Sequence, residues 1–72
     1  MNTNIQQTTL DTLSQALHRH DWHYNSSDDY RVWRRGVDEV DAIRDMIESL
    51  DKAGLGKEAR ALYNKVAEEN LK

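Results

Sequence analysis

The chain reads as an all-α, three-helix protein with a long central helix and a C-terminal helical hairpin, expected to be oligomeric. Three observations predict this. There is no proline and there are only three glycines in 72 residues, which argues against a loop-rich or all-β fold. Apolar residues recur at helical spacing in three separate stretches. A legible stop and restart lies at 54–56, where glycine, leucine and glycine follow each other. Seventy-two residues allow one domain, 1–72, whose single core supplies only a few kcal/mol.

The first helix is expected over 9–20. Thr8 or Thr9 can cap it, and Asp11 suits the positive end of its dipole. Leu10, Leu13, Leu17 and His20 then form one stripe. Residues 1–8 are polar and expected to fray. A connection over 21–26 leads to the second helix, with Ser26 and Ser27 as candidate caps and Asp28 and Asp29 in its first turn. Helix initiation is the ordinary reading of those two aspartates.

The second helix is the strongest element. Tyr30, Trp33, Val37, Val40, Ile43, Ile47 and Leu50 step close to a heptad seam. About 26 residues at 1.5 Å each give a rod of about 39 Å. Such a seam with thin cover suits a dimer or higher oligomer. Gly54 fits the left-handed position that ends helices, with Leu55 packing back on Leu50. The third helix begins near Gly56 and buries Ala59, Leu62, Val66 and part of Tyr63. Gly36 is the misfit within the second helix, where glycine costs about 1 kcal/mol against alanine. Close packing is its ordinary explanation, and close approach of a ligand its functional one.

Composition excludes several functions. No cysteine is present, so disulfides and thiolate zinc sites are ruled out, and a reducing cytosol is compatible. No apolar run is long enough to cross a membrane and no signal-peptide pattern opens the chain, so a soluble, cytoplasmic protein is expected. The formal net charge of −3 disfavours duplex nucleic acid as a partner. The charge is uneven: residues 18–35 carry four arginines against three aspartates, while 36–72 carry six basic against nine acidic residues.

The chemistry-bearing residues crowd into 18–36, which holds all three histidines, both tryptophans and four of the five aromatics. His18, His20 and His23 with Asp21 are residue types that zinc accepts, but the spacing matches no strong metal signature. No metal or other cofactor is expected. Neither a nucleophile motif nor a glycine-rich phosphate loop is present, and an enzyme is not expected. Arg31, Arg34 and Arg35 share a helix face. Pairs of Arg34 with Asp38 and Arg35 with Glu39 explain their spacing. They do not explain the choice over lysine of arginine, whose planar fork grips phosphate or carboxylate at two points. Tyr30 and Trp33 belong to the seam by periodicity. Trp22 and Tyr24 sit in a polar connection that nothing periodic demands, either as a lid on the core or as a stacking platform. With His23 they complete a candidate ligand-binding set: Trp22, His23, Tyr24, Arg31, Arg34 and Arg35. Ring faces with guanidinium groups suit a nucleotide, and equally a protein hot spot.

The block D-W-x-Y-x-x-S-D-D-x-x-V-W-R-R-G is formed by Asp21, Trp22, Tyr24, Ser27, Asp28, Asp29, Val32, Trp33, Arg34, Arg35 and Gly36. It resembles a pattern in small accessory proteins of tailed bacteriophages and prophages. The likeness covers about 25 residues and is less evident in the third helix. It implies an anti-defence role in the host bacterial cytoplasm. Of two such classes the expected one sequesters a nucleotide immune signal without catalysis, as a sponge, in a pocket completed by an oligomer. The other binds and blocks a host protein. A sponge should lose function on Arg34→Ala or Trp22→Ala while keeping its fold. A blocker using the acidic face should lose it on charge reversal at Asp41, Asp45 and Glu48.

Overall fold

A computed structural model describes the backbone of residues 3–71 and the side chains of residues 9–71. Three α-helices, α1 (Thr3–Arg19), α2 (Tyr30–Lys52) and α3 (Gly56–Asn70), are the main elements, with a short 3₁₀ turn at Tyr24–Ser26. Among the described residues there is no strand. Each helix packs against the other two. The core is Leu13 and Leu17 from α1, Ile43 and Leu50 from α2, and Ala59 and Val66 from α3, all essentially solvent-free. Leu10, Ala16, Met46, Ile47, Leu55, Leu62 and Tyr63 pack around it.

The helix starts differ from expectation at two places. α1 begins at Thr3, so Thr8 and Thr9 lie inside it and do not cap it. The expectation that 1–8 frays falls on side chains outside the described residues. α2 is capped by Asp29, whose carboxylate accepts the Arg31 backbone N–H at 2.9 Å. Ser27 acts one step earlier, its hydroxyl accepting the Asp29 N–H at 3.1 Å, and Ser26 belongs to the 3₁₀ turn. The acid outcompetes the serines because an ionised carboxylate also meets the positive end of the helix dipole.

The end of α2 follows its expected chemistry. Gly54 has φ +86°, Leu55 N–H donates to Leu50 O at 2.7 Å, and Gly54 N–H to Asp51 O at 3.0 Å. These two bonds are the paired closure of a Schellman motif. Arg60 on α3 reaches back to Asp51 at 3.3 Å across the same turn.

The seam is where sequence and structure part. Ile43 and Leu50 are buried and Ile47 is half-buried, as the periodicity requires. Tyr30 and Trp33, however, are 68% and 36% exposed. The stripe that actually faces the core is Val32, Gly36, Glu39, Ile43, Met46 and Leu50, stepping 4, 3, 4, 3, 4. At 100° per residue, Trp33 and Val37 stand about 80° and 120° from Ile43. An uninterrupted apolar count drew the seam through the wrong residues, because two core-facing positions of α2 are a glycine and a glutamate. The radius of gyration is 13.1 Å, against about 11 Å for a compact chain of this length. The molecule is elongated, 46 Å in its longest dimension, and the first core residue that α2 supplies is Ile43.

Candidate functional site

The connection between α1 and α2 fills the two gaps in the α2 stripe. α1 ends where its carbonyls run out of amide partners, and the Trp22 indole supplies one, Nε1 donating to Leu17 O at 3.0 Å. The Asp21 carboxylate accepts the His23 N–H at 2.9 Å and turns the chain back over α2. The 3₁₀ turn then lays the Tyr24 ring on Gly36, so closely that a β-carbon there would overlap Tyr24 Cβ and Cγ. His20 is buried, and its Nδ1 meets Glu39 Oε1 at 2.8 Å.

Four rings link in series from the connection to α3. Tyr24 and His20 are 5.4 Å apart, His20 and Trp22 5.0 Å edge to face, Trp22 and Tyr63 5.6 Å edge to face. Such pairs contribute about 0.5–1.5 kcal/mol each beyond their buried area. His20 with Glu39 is the polar centre of this cluster. Sequence reasoning placed His20 on the α1 stripe but missed its partner. The signal was present: Glu39 falls on the core-facing stripe of α2, where an unpaired carboxylate would be costly.

Glu39 is therefore committed to His20, and the expected Arg35–Glu39 pair does not form. We expect Glu39→Ala to cost about 1–3 kcal/mol, because it leaves a buried imidazole N–H without an acceptor. Glu39→Gln keeps an acceptor oxygen and should cost less than half as much. Urea denaturation of the two variants measures the difference; equal losses would mean the hydrogen bond is unimportant.

The six expected ligand-binding residues divide between interior and surface. Trp22 and Tyr24 are half-buried and occupied in the aromatic cluster, so they do not form an open stacking platform. His23 is exposed at the tip of the connection. Arg31 lies 3.7 Å from Asp29 with 90% of its side chain exposed, and Arg34 lies 3.4 Å from Asp38. Arg35 is exposed with no ion-pair partner among the described residues. His18 turns away to Ser14 O at 2.7 Å. Among the described residues no three His, Asp or Glu side chains gather in a way that could hold a metal ion, and no helix is long and apolar enough to cross a membrane.

Two further surfaces lie on α2. Asp38, Asp41, Asp45 and Glu48 are all exposed along its outer face. Asp38 and Glu48 have local partners, Arg34 and Lys52, while Asp41 and Asp45 have none among the described residues. Beside this ridge runs an apolar flank, Tyr30, Trp33, Val37 and Val40, with the two rings 5.9 Å apart. The flank leads into an open groove of about 240 Å³ between α2 and α3, lined by Val40, Ile43, Arg44, Ile47, Arg60, Tyr63 and Asn64. The groove carries two arginines, an asparagine and a tyrosine beside its apolar floor. Compared with known proteins, the chain matches no family model, no curated sequence and no solved structure.

Proposed function

We propose that this chain acts by binding, without catalysis, as a self-associating three-helix protein with a long central helix and a C-terminal helical hairpin. In this reading it blocks a host bacterial protein and serves a bacteriophage in anti-defence. The observation that carries the choice of a protein partner is the outer face of α2. It sets four carboxylates on one rigid, exposed helix, and Asp41 and Asp45 have no internal partner. Charges held on a rigid helix steer and orient a basic partner at little entropic cost. The phage setting and cytoplasmic location rest on the resemblance of the 21–36 block alone.

A nucleotide sponge is the second reading, favoured by one observation. Arg31 and Arg35 stand one helical turn apart, exposed, and Arg35 is unpaired. They could grip a phosphate, but the base would have to stack on Tyr30 and Trp33, since Trp22 and Tyr24 are occupied.

Immobilised full-length protein should retain one defined protein from a bacterial lysate. Asp38→Lys combined with Asp45→Lys should abolish that capture, and Arg31→Ala combined with Arg35→Ala should leave it intact. The opposite ranking, with a cyclic di- or trinucleotide held in native mass spectrometry and lost in the arginine variant, would replace the blocker by the sponge.

A further inference from the structure

We propose that the Tyr30, Trp33, Val37 and Val40 flank of α2 is the contact between two copies of this chain, paired antiparallel about a two-fold axis near Val37. The inference deepens the self-association proposed above and rests on it.

The first support is shape. A knob and a hole occur on the same helix of the same molecule. The knob is the Tyr30–Trp33 ring pair at the start of α2, 68% and 36% exposed. The hole is the groove between α2 and α3, floored by Ile43 and Ile47 and walled by Tyr63. The flank stands about 60–140° from Ile43 by helical geometry, and the α2 residues of the groove adjoin it on the same side, about 0–100° from Ile43. A two-fold operation that brings one knob to the other molecule's hole brings the second knob to the first hole, which closes the assembly as a dimer.

The second support is charge. With Val37 opposite itself, position 30 faces position 44 and position 33 faces position 41. Tyr30 then meets Arg44 of the second copy, a ring beneath an exposed guanidinium that has no ion-pair partner among the described residues. Arg34 comes within reach of Asp41 of the second copy, and Asp41 has no partner of its own. The parallel alternative sets the arginine-bearing turns level with each other and the aspartate-bearing turns level with each other, so like charges face like. The helix is basic before Gly36 and mainly acidic after it, so only the antiparallel arrangement is self-complementary. An area built on four aromatic rings lies at the small end of specific interfaces, so a concentration-dependent dimer is expected.

Sedimentation equilibrium of the full chain from about 1 µM to 1 mM tests this, with far-UV circular dichroism to check each variant's fold. Wild type should pass from monomer to dimer. Trp33→Glu should remain monomeric at unchanged helicity, because Trp33 lies outside the core; Tyr30→Ala should weaken the dimer if Trp33→Glu disturbs folding. Arg34→Asp and Asp41→Arg should each raise the dissociation constant about tenfold, and the two together should restore it. A chain that stays monomeric throughout, or a dimer indifferent to Trp33→Glu and Tyr30→Ala, overturns the proposal. Single charge variants that weaken the dimer without mutual rescue overturn the antiparallel pairing. A monomer that still captures a host protein refutes the dimer and keeps the binding reading, whereas a dimer that captures nothing does the reverse.

Discussion

Gly36→Ala is expected to destabilise the protein by about 1–3 kcal/mol, against the usual gain when glycine leaves a helix. Helix propensity alone predicts a gain of about 1 kcal/mol. The added β-carbon, however, would overlap Tyr24 Cβ and Cγ. A flexible side-chain tip could swing aside, but Cβ is fixed to the backbone, so the 3₁₀ turn must lift as a unit. Lifting it withdraws the Tyr24 ring from His20 and loosens the cover over the His20–Glu39 bond. For a domain of this size the loss corresponds to a fall in Tm on the order of 10 °C. The sign should reverse in a Tyr24→Gly background, where the β-carbon and the ring are both gone and the propensity gain remains. Thermal melts of the two singles and the double measure that coupling. A single Gly36→Ala variant that melts higher than wild type would show that the turn yields freely.

Trp22→Ala should remove most of the remaining stability, at a cost of about 2–4 kcal/mol. The upper part of the range seen for buried aromatic truncations is reduced because Trp22 is only half-buried. What is lost is specific: edge contacts to His20 and Tyr63, and the indole bond that satisfies the Leu17 carbonyl. Cores of this size rarely supply more than about 3–5 kcal/mol in total, so the variant should be substantially unfolded at 37 °C. Far-UV circular dichroism with urea titration checks this. Trp22→Phe, which keeps a ring but loses the N–H donor, should cost about 1 kcal/mol. The consequence for function is direct. Loss of binding in Trp22→Ala reports on folding, and the expectation that a sponge keeps its fold after this change no longer holds. Trp33 is the tryptophan whose replacement separates binding from stability.

The apolar stripe of α1 was legible because Leu10, Leu13, Leu17 and His20 satisfy one period without exception. The close of α2 was legible because Gly54 admits the left-handed backbone that the cap needs and Leu55 follows it. The helix starts were less so, because Ser26, Ser27, Asp28 and Asp29 are all competent caps. Choosing Asp29 depended on where the 3₁₀ turn delivers the chain. The candidate site was half legible. Crowding in 18–36 marked the right segment, and the exposed arginines stand on α2 as their spacing required. The roles of Trp22 and Tyr24 were not legible, since a ring packed on a distant glycine leaves no local pattern.

By itself the sequence determined the class of the protein: three helices, where each apolar stretch lies, how α2 stops, and the division of α2 into basic and acidic halves. These properties follow from neighbours within one or two turns, where propensity, capping and charge spacing act. Only the tertiary structure decided which stripe of α2 faces the core. Gly36 and Glu39 look like faults in a helix read alone. They become the two best-fitted positions once Tyr24 and His20 arrive from another segment, because a missing side chain and a buried carboxylate are each stabilised only by a partner brought there by the fold. The same rotation of α2 leaves Tyr30 and Trp33 outside the main core, available for contact with another molecule.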